Sequence, residues 1–222
     1  MAPQPGEAPG ATAPGVMGLL MRLRALGITD AELLKQVETA RRDQFVPVEH
    51  SLVAFDDMPL PIRCGQTMPS PDLTVRLVEA LDVLSHHSVL EIGTGSGFQT
   101  AILAQRGRKV RTVDRYKTLL DGARRTLDRL GLTNVTYHQA DGREEVADNA
   151  LFDRIIVDSA YTATPRALLA TLVAGGTVIT AMGASGDEQM LVRLTKIGNR
   201  FERENLFPVR FSPLENGVAA AF

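Results

Sequence analysis

Cysteine is scarce in this chain, whose 222 residues include only Cys64. A lone thiol excludes an intramolecular disulfide framework and is typical of a reducing compartment, so we expect a cytoplasmic protein. No apolar stretch approaches the ~20 residues that span a bilayer, and no cationic segment precedes the short apolar run at 16–21, so we expect neither a membrane span nor a secretory signal. The formal net charge of -2 predicts neither nucleic acid nor an anionic membrane as a partner. Because His50 and His138 lack metal-ligand spacing, we also predict no metal site.

Composition divides the chain into three parts. Residues 1–15 hold four prolines, three glycines and four alanines without a periodic apolar pattern, so we expect a disordered tail. Residues 16–71 are predicted to carry two helices, at 16–25 and 30–41, and then a proline-punctuated pocket loop. Thr29 and Glu32 have the spacing of a capping box at the start of the second helix. Residues 72–222 are expected to form the main domain.

Strand and helix patterns alternate along this main domain. The predicted strands cover residues 88–92, 110–114, 135–138, 154–158, 177–180, 189–195 and 200–207, and the predicted helices cover 73–81, 98–106 and the stripe that Gly131 ends. The last two strands are expected to form a hairpin around Gly198 and Asn199. This order predicts a doubly wound α/β fold, in which a mostly parallel seven-stranded sheet carries helices on both faces and one antiparallel edge. The two early helices are expected to cap it.

A glycine-rich loop follows the first of these strands, in the sequence VLEIGTGSG at residues 89–97. Glycines let the chain turn sharply and let a ligand approach the backbone. A dinucleotide site would need its third glycine one residue later than Gly97. Moreover, the carboxylate of Glu91 would repel a pyrophosphate but not the cationic end of S-adenosyl-L-methionine. The loop, with Gly93, Thr94, Gly95 and Ser96, therefore predicts that cofactor and a class I methyltransferase fold.

Acidic residues end the next two strands. Asp114 lies 19 residues beyond Gly95, where a carboxylate can accept both ribose hydroxyls. Asp141-Gly142 follows the third strand and is placed to receive the adenine amino group. We also assign to the cofactor site Arg115, which directly follows the second strand, and Asp158, which ends the fourth. The alternative is that the glycine loop, Asp114 and Asp141-Gly142 mark three ordinary strand-end turns. The absence of a Pro-Pro-aromatic motif after Asp158 argues against methylation of nucleic-acid amino groups.

Four segments carry a resemblance to the protein-L-isoaspartate (D-aspartate) O-methyltransferase family: FVP at 45–47, PLPIRCGQT at 59–67, the glycine loop, and FPVRFSPL at 207–214. The resemblance implies that the chain methylates the α-carboxylate of L-isoaspartyl residues in damaged proteins or peptides. It assigns Gln66 and Thr67 to the reaction centre. It also implies a substrate pocket that Gly65, Met68, Pro69, Val209, Arg210 and Phe211 line.

The chain departs from the family pattern at Pro69, where the family carries a serine that is its usual catalytic residue. Proline offers neither a hydroxyl nor an N–H group. Ser70 is one position away, and we include it among the candidate catalytic residues. This departure leaves three alternatives open: a methyltransferase acting on another carboxylate or small molecule, a non-catalytic cofactor-binding module, and a nucleotide-binding oxidoreductase, which the glycine spacing disfavours. The oligomeric state is also open.

Overall fold

The computed structural model describes residues 15–143, 150–184 and 186–219 of the chain. Apart from Gly15, the predicted tail lies outside the described residues. The helices are α1 (Val16–Ala25), α2 (Ala31–Ala40), α3 (Pro71–Leu81), α4 (Phe98–Arg106), α5 (Lys117–Arg129) and α6 (Arg166–Ala170), and short 3-10 helices cover Arg42–Gln44, Val48–Val53 and Arg63–Gly65. The strands are β1 (Leu60–Pro61), β2 (Thr67–Met68), β3 (Ser88–Ile92), β4 (Lys109–Asp114), β5 (Val135–Gln139), β6 (Phe152–Tyr161), β7 (Leu172–Met182), β8 (Gln189–Ile197) and β9 (Arg200–Val209).

A seven-stranded sheet in the order β5-β4-β3-β6-β7-β8-β9 forms the centre of the molecule. The strands from β5 to β7 run parallel, and β8 is antiparallel to both β7 and β9. All five residues of β3 are buried, as expected for a central strand that helices cover on both faces. The predicted doubly wound sheet and its antiparallel edge are confirmed. Ile197 pairs with Arg200 across the predicted Gly198-Asn199 turn.

The N-terminal helices pack onto the main domain as a cap. Leu19 and Leu23 of α1 and Val37 of α2 are fully buried in a hydrophobic core that they share with Phe98 of α4. An ion pair between Arg106 and Asp30, at 2.8 Å, joins α4 to the start of α2. A second pair joins Arg22 of α1 to Asp72 of α3 through two hydrogen bonds of 3.1 and 3.2 Å. In the ranges that the structure describes, no helix is long and apolar enough to cross a membrane.

Several local details differ from the sequence prediction. The residue that caps α2 is Asp30, whose Oδ1 accepts a hydrogen bond from the Leu33 N–H at 3.0 Å, and not Thr29. Aspartate is a stronger cap than threonine, and Asp30 is the residue that directly precedes the helix. Strands β6 and β7 extend beyond their predicted bounds, to ten and eleven residues. The five-residue helix α6 and the two-stranded β1–β2 hairpin were not predicted, because such short elements show no clear periodicity.

Candidate functional site

The glycine loop lies between β3 and α4, at the carboxyl edge of the parallel strands. Its three glycines have positive φ angles of +100° at Gly93, +52° at Gly95 and +93° at Gly97. A Cβ atom at Gly97 would lie 2.8 Å from the Cβ of Ala123, so no larger residue fits there. The chain continues from β3 to β4 on one side and later returns to β6 on the other. The loop therefore stands at a topological switch point, where open α/β sheets bind ligands.

Asp114, the last residue of β4, is fixed directly beside this loop. Its Oδ2 accepts a hydrogen bond from the Gly95 N–H at 3.0 Å, and its Oδ1 accepts one from the Tyr116 N–H at 2.9 Å. Burial raises the pKa of Asp114, and the hydrogen bonds from these N–H groups oppose the shift. Each carboxylate oxygen has a second lone pair, so the group can still accept ligand hydroxyls. The structure therefore brings Gly95 and Asp114, both predicted to bind the cofactor, into direct contact.

Asp141 and Gly142 lie beyond β5, one strand further along the same edge. Burial opposes a lower pKa at Asp141, but N–H groups of Gly217 and Arg143 and nearby arginine charges hold the pKa below its usual value. A Cβ at Gly142 would lie 2.3 Å from Cγ2 of Ile92, so the backbone approaches the sheet too closely for a side chain. A cleft of about 560 Å³ opens here, lined by Gln139, Ala140, Asp141, Arg143, Asn216, Gly217 and Val218.

Residues 212–219, which we call the C-terminal strap, cross the carboxyl edge above these groups. The backbones of Ser212 and Leu214 bond to Ala160 at the end of β6. Further along, the Gly217 N–H donates to Oδ2 of Asp141 at 2.6 Å. The strap ends beside β4, where the Ala219 N–H bonds to the carbonyl of Arg115 at 3.1 Å. An ion pair between Arg115 and Glu215 adds to this contact. Sequence reasoning did not assign the strap to the cofactor side of the site.

The segment predicted to carry the acceptor chemistry is a small hairpin, residues 60–68, which we call the acceptor hairpin. Leu60 pairs with Met68, and a tight turn places Cys64 at φ +60° and Gly65 at φ +63°. The hairpin packs against the cofactor loop, since the Ser96 hydroxyl lies 2.9 Å from the Met68 sulfur. Gln66 Nε2 also lies 3.4 Å from the Tyr116 hydroxyl. The structure therefore brings Met68 to the glycine loop and Gln66 to Tyr116, which follows β4.

The other predicted acceptor residues lie at varying distances from this contact. Thr67 is exposed on the hairpin, and Ser70 lies at the N-cap of α3, where its hydroxyl accepts from the Leu73 N–H at 3.3 Å. Val209 is buried at the end of β9, Arg210 is exposed, and the Phe211 backbone is held by the side-chain amide of Gln189. The roles of these residues in catalysis or peptide binding stay predictions.

Arg42 anchors the chain just after the acceptor hairpin, which sequence reasoning missed. Its side chain is fully buried, and its guanidinium donates to the carbonyls of Ala54 and of Pro69, the latter at 2.7 Å. Burial lowers the pKa of Arg42 to about 10, so it stays charged at neutral pH. Pro69 is therefore held in place through its carbonyl oxygen. The contact spans 27 residues, and no local pattern announces it.

Glu91 is the one predicted cofactor residue whose side chain has no exposed surface. One carboxyl oxygen accepts hydrogen bonds from the hydroxyls of Thr100, at 2.5 Å, and Thr112, at 2.6 Å. The other accepts one from the side-chain amide of Gln99 at 3.2 Å. Sequence reasoning also missed these three partners. The available signal is that buried polar side chains interrupt otherwise apolar elements, which is uncommon unless they are hydrogen-bonded.

Comparison with known proteins places the chain among methyltransferases. The family model described as Protein-L-isoaspartate(D-aspartate) O-methyltransferase matches residues 16–219. The Protein-L-isoaspartate O-methyltransferase of Ruegeria pomeroyi is 43% identical over 202 residues, covering 91% of this chain and 94% of the relative. The protein of the same name from Rhizobium meliloti is 37% identical over 202 residues, covering 91% of this chain and 99% of the relative.

Solved structures show the same fold. A crystal structure of a Plasmodium falciparum protein described as a protein-L-isoaspartate O-methyltransferase, in complex with S-adenosyl-L-homocysteine, superposes with a TM-score of 0.77. It is 23% identical, and the match covers 89% of this chain and 97% of that one. A further structure of a protein-L-isoaspartate O-methyltransferase gives a TM-score of 0.79 at 22% identity, covering 90% of this chain and 66% of that one.

Proposed function

The chain belongs to the protein-L-isoaspartate(D-aspartate) O-methyltransferase family, and on that premise we propose that it transfers the methyl group of S-adenosyl-L-methionine to the α-carboxylate of L-isoaspartyl residues. The observation that carries the proposal is the contact between the acceptor hairpin and the glycine loop, at Met68 and Ser96. This contact supports the proposal, because it joins the segment that would bind the acceptor to the loop that would bind the donor.

The chain's own residues fit the cofactor along the carboxyl edge of the sheet. Asp114 would receive the ribose hydroxyls, and the cleft at Asp141 would receive the adenine. The missing side chains at Gly93 and Gly97 let the loop pack closely against Asp158 and Ala123, which would fix the backbone that faces the cofactor. When bound, S-adenosyl-L-methionine supplies the methyl group and a sulfonium leaving group. The family name and this donor set together support the assignment of these residues.

The acceptor needs no strong general base. An α-carboxylate has a pKa of ~3.5 and is ionised at neutral pH. The work left to the protein is to align the carboxylate oxygen with the methyl carbon and to exclude water. The hydroxyl of Thr67 and the backbone N–H groups of Gly65 and Ser70 are the candidate donors in this segment, since the Gln66 N–H donates to the Arg63 carbonyl and residues 67–68 pair with residues 60–61. Arg42 would keep this segment in place through the Pro69 carbonyl.

A second candidate, a methyltransferase with a different carboxylate acceptor, is favoured by one observation. Pro69 supplies no hydroxyl where the family has serine, and the hydroxyl of Ser70 already caps α3. The Pro69→Ser variant separates the two candidates. If the parent methylates isoaspartyl peptides, serine changes the rate without creating the activity. If the parent is silent and Pro69→Ser becomes active, the second candidate is supported.

Methyl transfer from labelled S-adenosyl-L-methionine tests the proposal. With an isoaspartyl peptide as acceptor, we expect a base-labile methyl ester. Asp114→Asn should raise the apparent KM for the cofactor, because a neutral amide is a weaker acceptor for the ribose hydroxyls. Asp121→Asn is the matched control, since Asp121 is exposed on α5 and pairs only with Lys117 among the partners found. Cofactor binding without transfer to any carboxylate would point to a non-catalytic module instead.

We further propose that the protein acts in the cytoplasm on isoaspartyl-containing proteins or peptides. The lone cysteine supports a reducing compartment, and the nearly balanced charge supports a protein substrate over a nucleic acid. Fractionation of cells that express the native chain, followed by immunodetection, tests the location. Recovery in a membrane or secreted fraction would contradict it.

A further inference from the structure

The side-chain amide of Gln99 bridges two carboxyl groups beneath the glycine loop. Gln99 is the second residue of α4 and is 6% exposed. Its Nε2 donates to Oε1 of Glu91 at 3.2 Å and to Oδ1 of Asp158 at 3.0 Å. Glu91 is on β3 and Asp158 is on the neighbouring strand β6. The Oε1 atom of Gln99 is buried and accepts a hydrogen bond from none of the described residues, so an acceptor is left over.

This cluster reaches the glycine loop at two places. Thr112, which donates to Glu91, also lies 2.6 Å from the hydroxyl of Thr94 in the loop. On the other side, a Cβ at Gly93 would lie 3.1 Å from the Cβ of Asp158. The two carboxyl groups are therefore at the base of the loop, and their hydrogen-bond partners are hydroxyl and amide groups rather than cations.

The strand order indicates which part of the cofactor meets this cluster. Asp114 and Asp141, the proposed ribose and adenine partners, end β4 and follow β5, on one side of β3. On the other side of β3 is β6, which carries Asp158 next to Glu91 of β3, and a switch point in the strand order is where a ligand-binding crevice is expected above the strand ends. A cofactor that extends along this edge places its methionine end in that crevice. That end carries an ammonium, a carboxylate and a sulfonium, so its net charge is positive, and two protein carboxylates attract its cationic groups.

We propose that Gln99 is a positioning residue for the cofactor: its bridging amide holds Glu91 and Asp158 together as a paired acidic site for the cationic methionine end. The inference rests on the proposed function, because it presumes that S-adenosyl-L-methionine binds at the glycine loop. Gln99 acts through the two carboxyl groups, because its own Oε1 is buried.

The cluster titrates near neutral pH in the free protein. Burial, with the charge of Asp158 as a second cause, raises the pKa of Glu91 to about 8, and burial raises the pKa of Asp158 to about 7. Tyr137 on β5 also interacts electrostatically with Glu91, and its pKa of about 12 keeps it neutral; Asp114 on β4, whose pKa is also raised, lies beside the loop and bonds to the N–H groups of Gly95 and Tyr116. A bound cation favours the ionised carboxylates, so binding releases protons and tightens as pH rises.

Calorimetry with S-adenosyl-L-methionine and S-adenosyl-L-homocysteine tests the proposal, since the two ligands share the ammonium and differ in the sulfonium charge. For the unmodified protein, we expect the Kd of S-adenosyl-L-methionine to fall about tenfold between pH 6 and pH 8.5. The Kd of S-adenosyl-L-homocysteine, whose sulfur is an uncharged thioether, should change less. Gln99→Leu should weaken S-adenosyl-L-methionine about tenfold at pH 8.5 and remove most of the pH dependence. The same variant should weaken the binding of S-adenosyl-L-homocysteine by a smaller factor.

Two further variants keep the test sharp. Gln105→Leu is the matched control on the same helix, because its amide bonds only to the carbonyls of Gln36 and Ala101 among the partners found. It should bind both ligands as the unmodified protein does. Gln99→Glu keeps the size of the side chain. We expect its affinity for S-adenosyl-L-methionine to rise less between pH 6 and pH 8.5 than that of the unmodified protein, because an ionised carboxylate at this position cannot donate to Glu91 and Asp158 and the bridge is lost as pH rises.

The outcomes separate the inference from the proposed function. Equal Kd values for the unmodified protein, Gln99→Leu and Gln105→Leu at every pH would overturn the inference. Equal weakening of both ligands by Gln99→Leu would also overturn it, because that result marks a purely structural role. A protein that binds S-adenosyl-L-methionine with the expected pH dependence but methylates no isoaspartyl peptide supports the inference and refutes the proposed function. Failure of the unmodified protein to bind S-adenosyl-L-methionine refutes both.

Discussion

Gly97→Ala probes how closely the glycine loop packs against α5. Two effects of the added methyl group are separable. The backbone at Gly97 has φ +93°, which costs an L-residue about 1–2 kcal/mol. The new Cβ would also lie 2.8 Å from the Cβ of Ala123 and 2.9 Å from Cδ1 of Leu127. Overpacking of this kind costs roughly 1–3 kcal/mol, so we expect a total loss of about 2–5 kcal/mol in the free energy of unfolding.

Gly27→Ala is the matched control for the first effect. Gly27 has the same φ of +93°, but a Cβ there would meet nothing within 4 Å. We therefore expect only the backbone cost of about 1–2 kcal/mol. In a protein of this size, 1 kcal/mol shifts Tm by about 2–4 °C. The Tm of Gly97→Ala should therefore be several degrees below that of Gly27→Ala in thermal unfolding. Chemical denaturation at equilibrium measures the corresponding free energies of unfolding.

A double-mutant cycle isolates the packing contribution. Ala123→Gly removes the closest contacting atom, although glycine inside α5 costs roughly 1 kcal/mol by itself. In combination with Gly97→Ala we expect a favourable interaction energy of about 1 kcal/mol. Equal losses for Gly97→Ala and Gly27→Ala, or strict additivity in the cycle, would refute the close packing of the loop against α5.

Three further predictions concern the acceptor hairpin, the N-cap of α2 and the buried carboxyl group of Glu91. Cys64→Asn should raise the free energy of unfolding by about 0.5–1 kcal/mol in urea titrations, because asparagine tolerates the positive φ of this tight turn; no gain would contradict the turn geometry. Asp30→Ala should lower it by about 1 kcal/mol through loss of the α2 cap, whereas Thr29→Ala should change little, and equal losses would disprove the assignment of the cap. Burial raises the pKa of Glu91 to about 8 in the folded protein, so its contribution to stability is fully present below its ordinary pKa and is lost as pH rises to 8. Glu91→Gln should flatten this decline in the free energy of unfolding by up to ~1.4 kcal/mol per pH unit. An unchanged slope would argue against the burial of this group.

The sheet and the donor half of the site follow from the sequence because local signals mark them. Glycines mark both ends of the glycine loop and of α4. The observed ranges of β3 (Ser88–Ile92) and α4 (Phe98–Arg106) agree with the predicted ones. Gly95 and Asp114 were each predicted to bind the cofactor from their places after successive strands, and they lie in contact because parallel strands end at the same edge.

The acceptor hairpin and the residues that hold the site together could not be predicted in this way. Strands of two residues have no period, and a cysteine with positive φ runs against its usual backbone preference. Arg42 and Gln99 act through partners 27 and 59 residues away, and the strap joins Gly217 to Asp141 across 76 residues. Such contacts depend on how the elements pack, and sequence periodicity reports only which face of each element is buried.

In the proposed function, the glycine loop and the acceptor hairpin together form one site for isoaspartyl methylation. The most direct measurement uses two peptides that differ only in an isoaspartyl or a normal aspartyl linkage, each incubated with labelled S-adenosyl-L-methionine. We expect base-labile methyl ester on the isoaspartyl peptide, approaching one methyl group per isoaspartyl residue at saturation, and background labelling of the aspartyl peptide. Background labelling of both peptides, or equal labelling of both, would contradict the account.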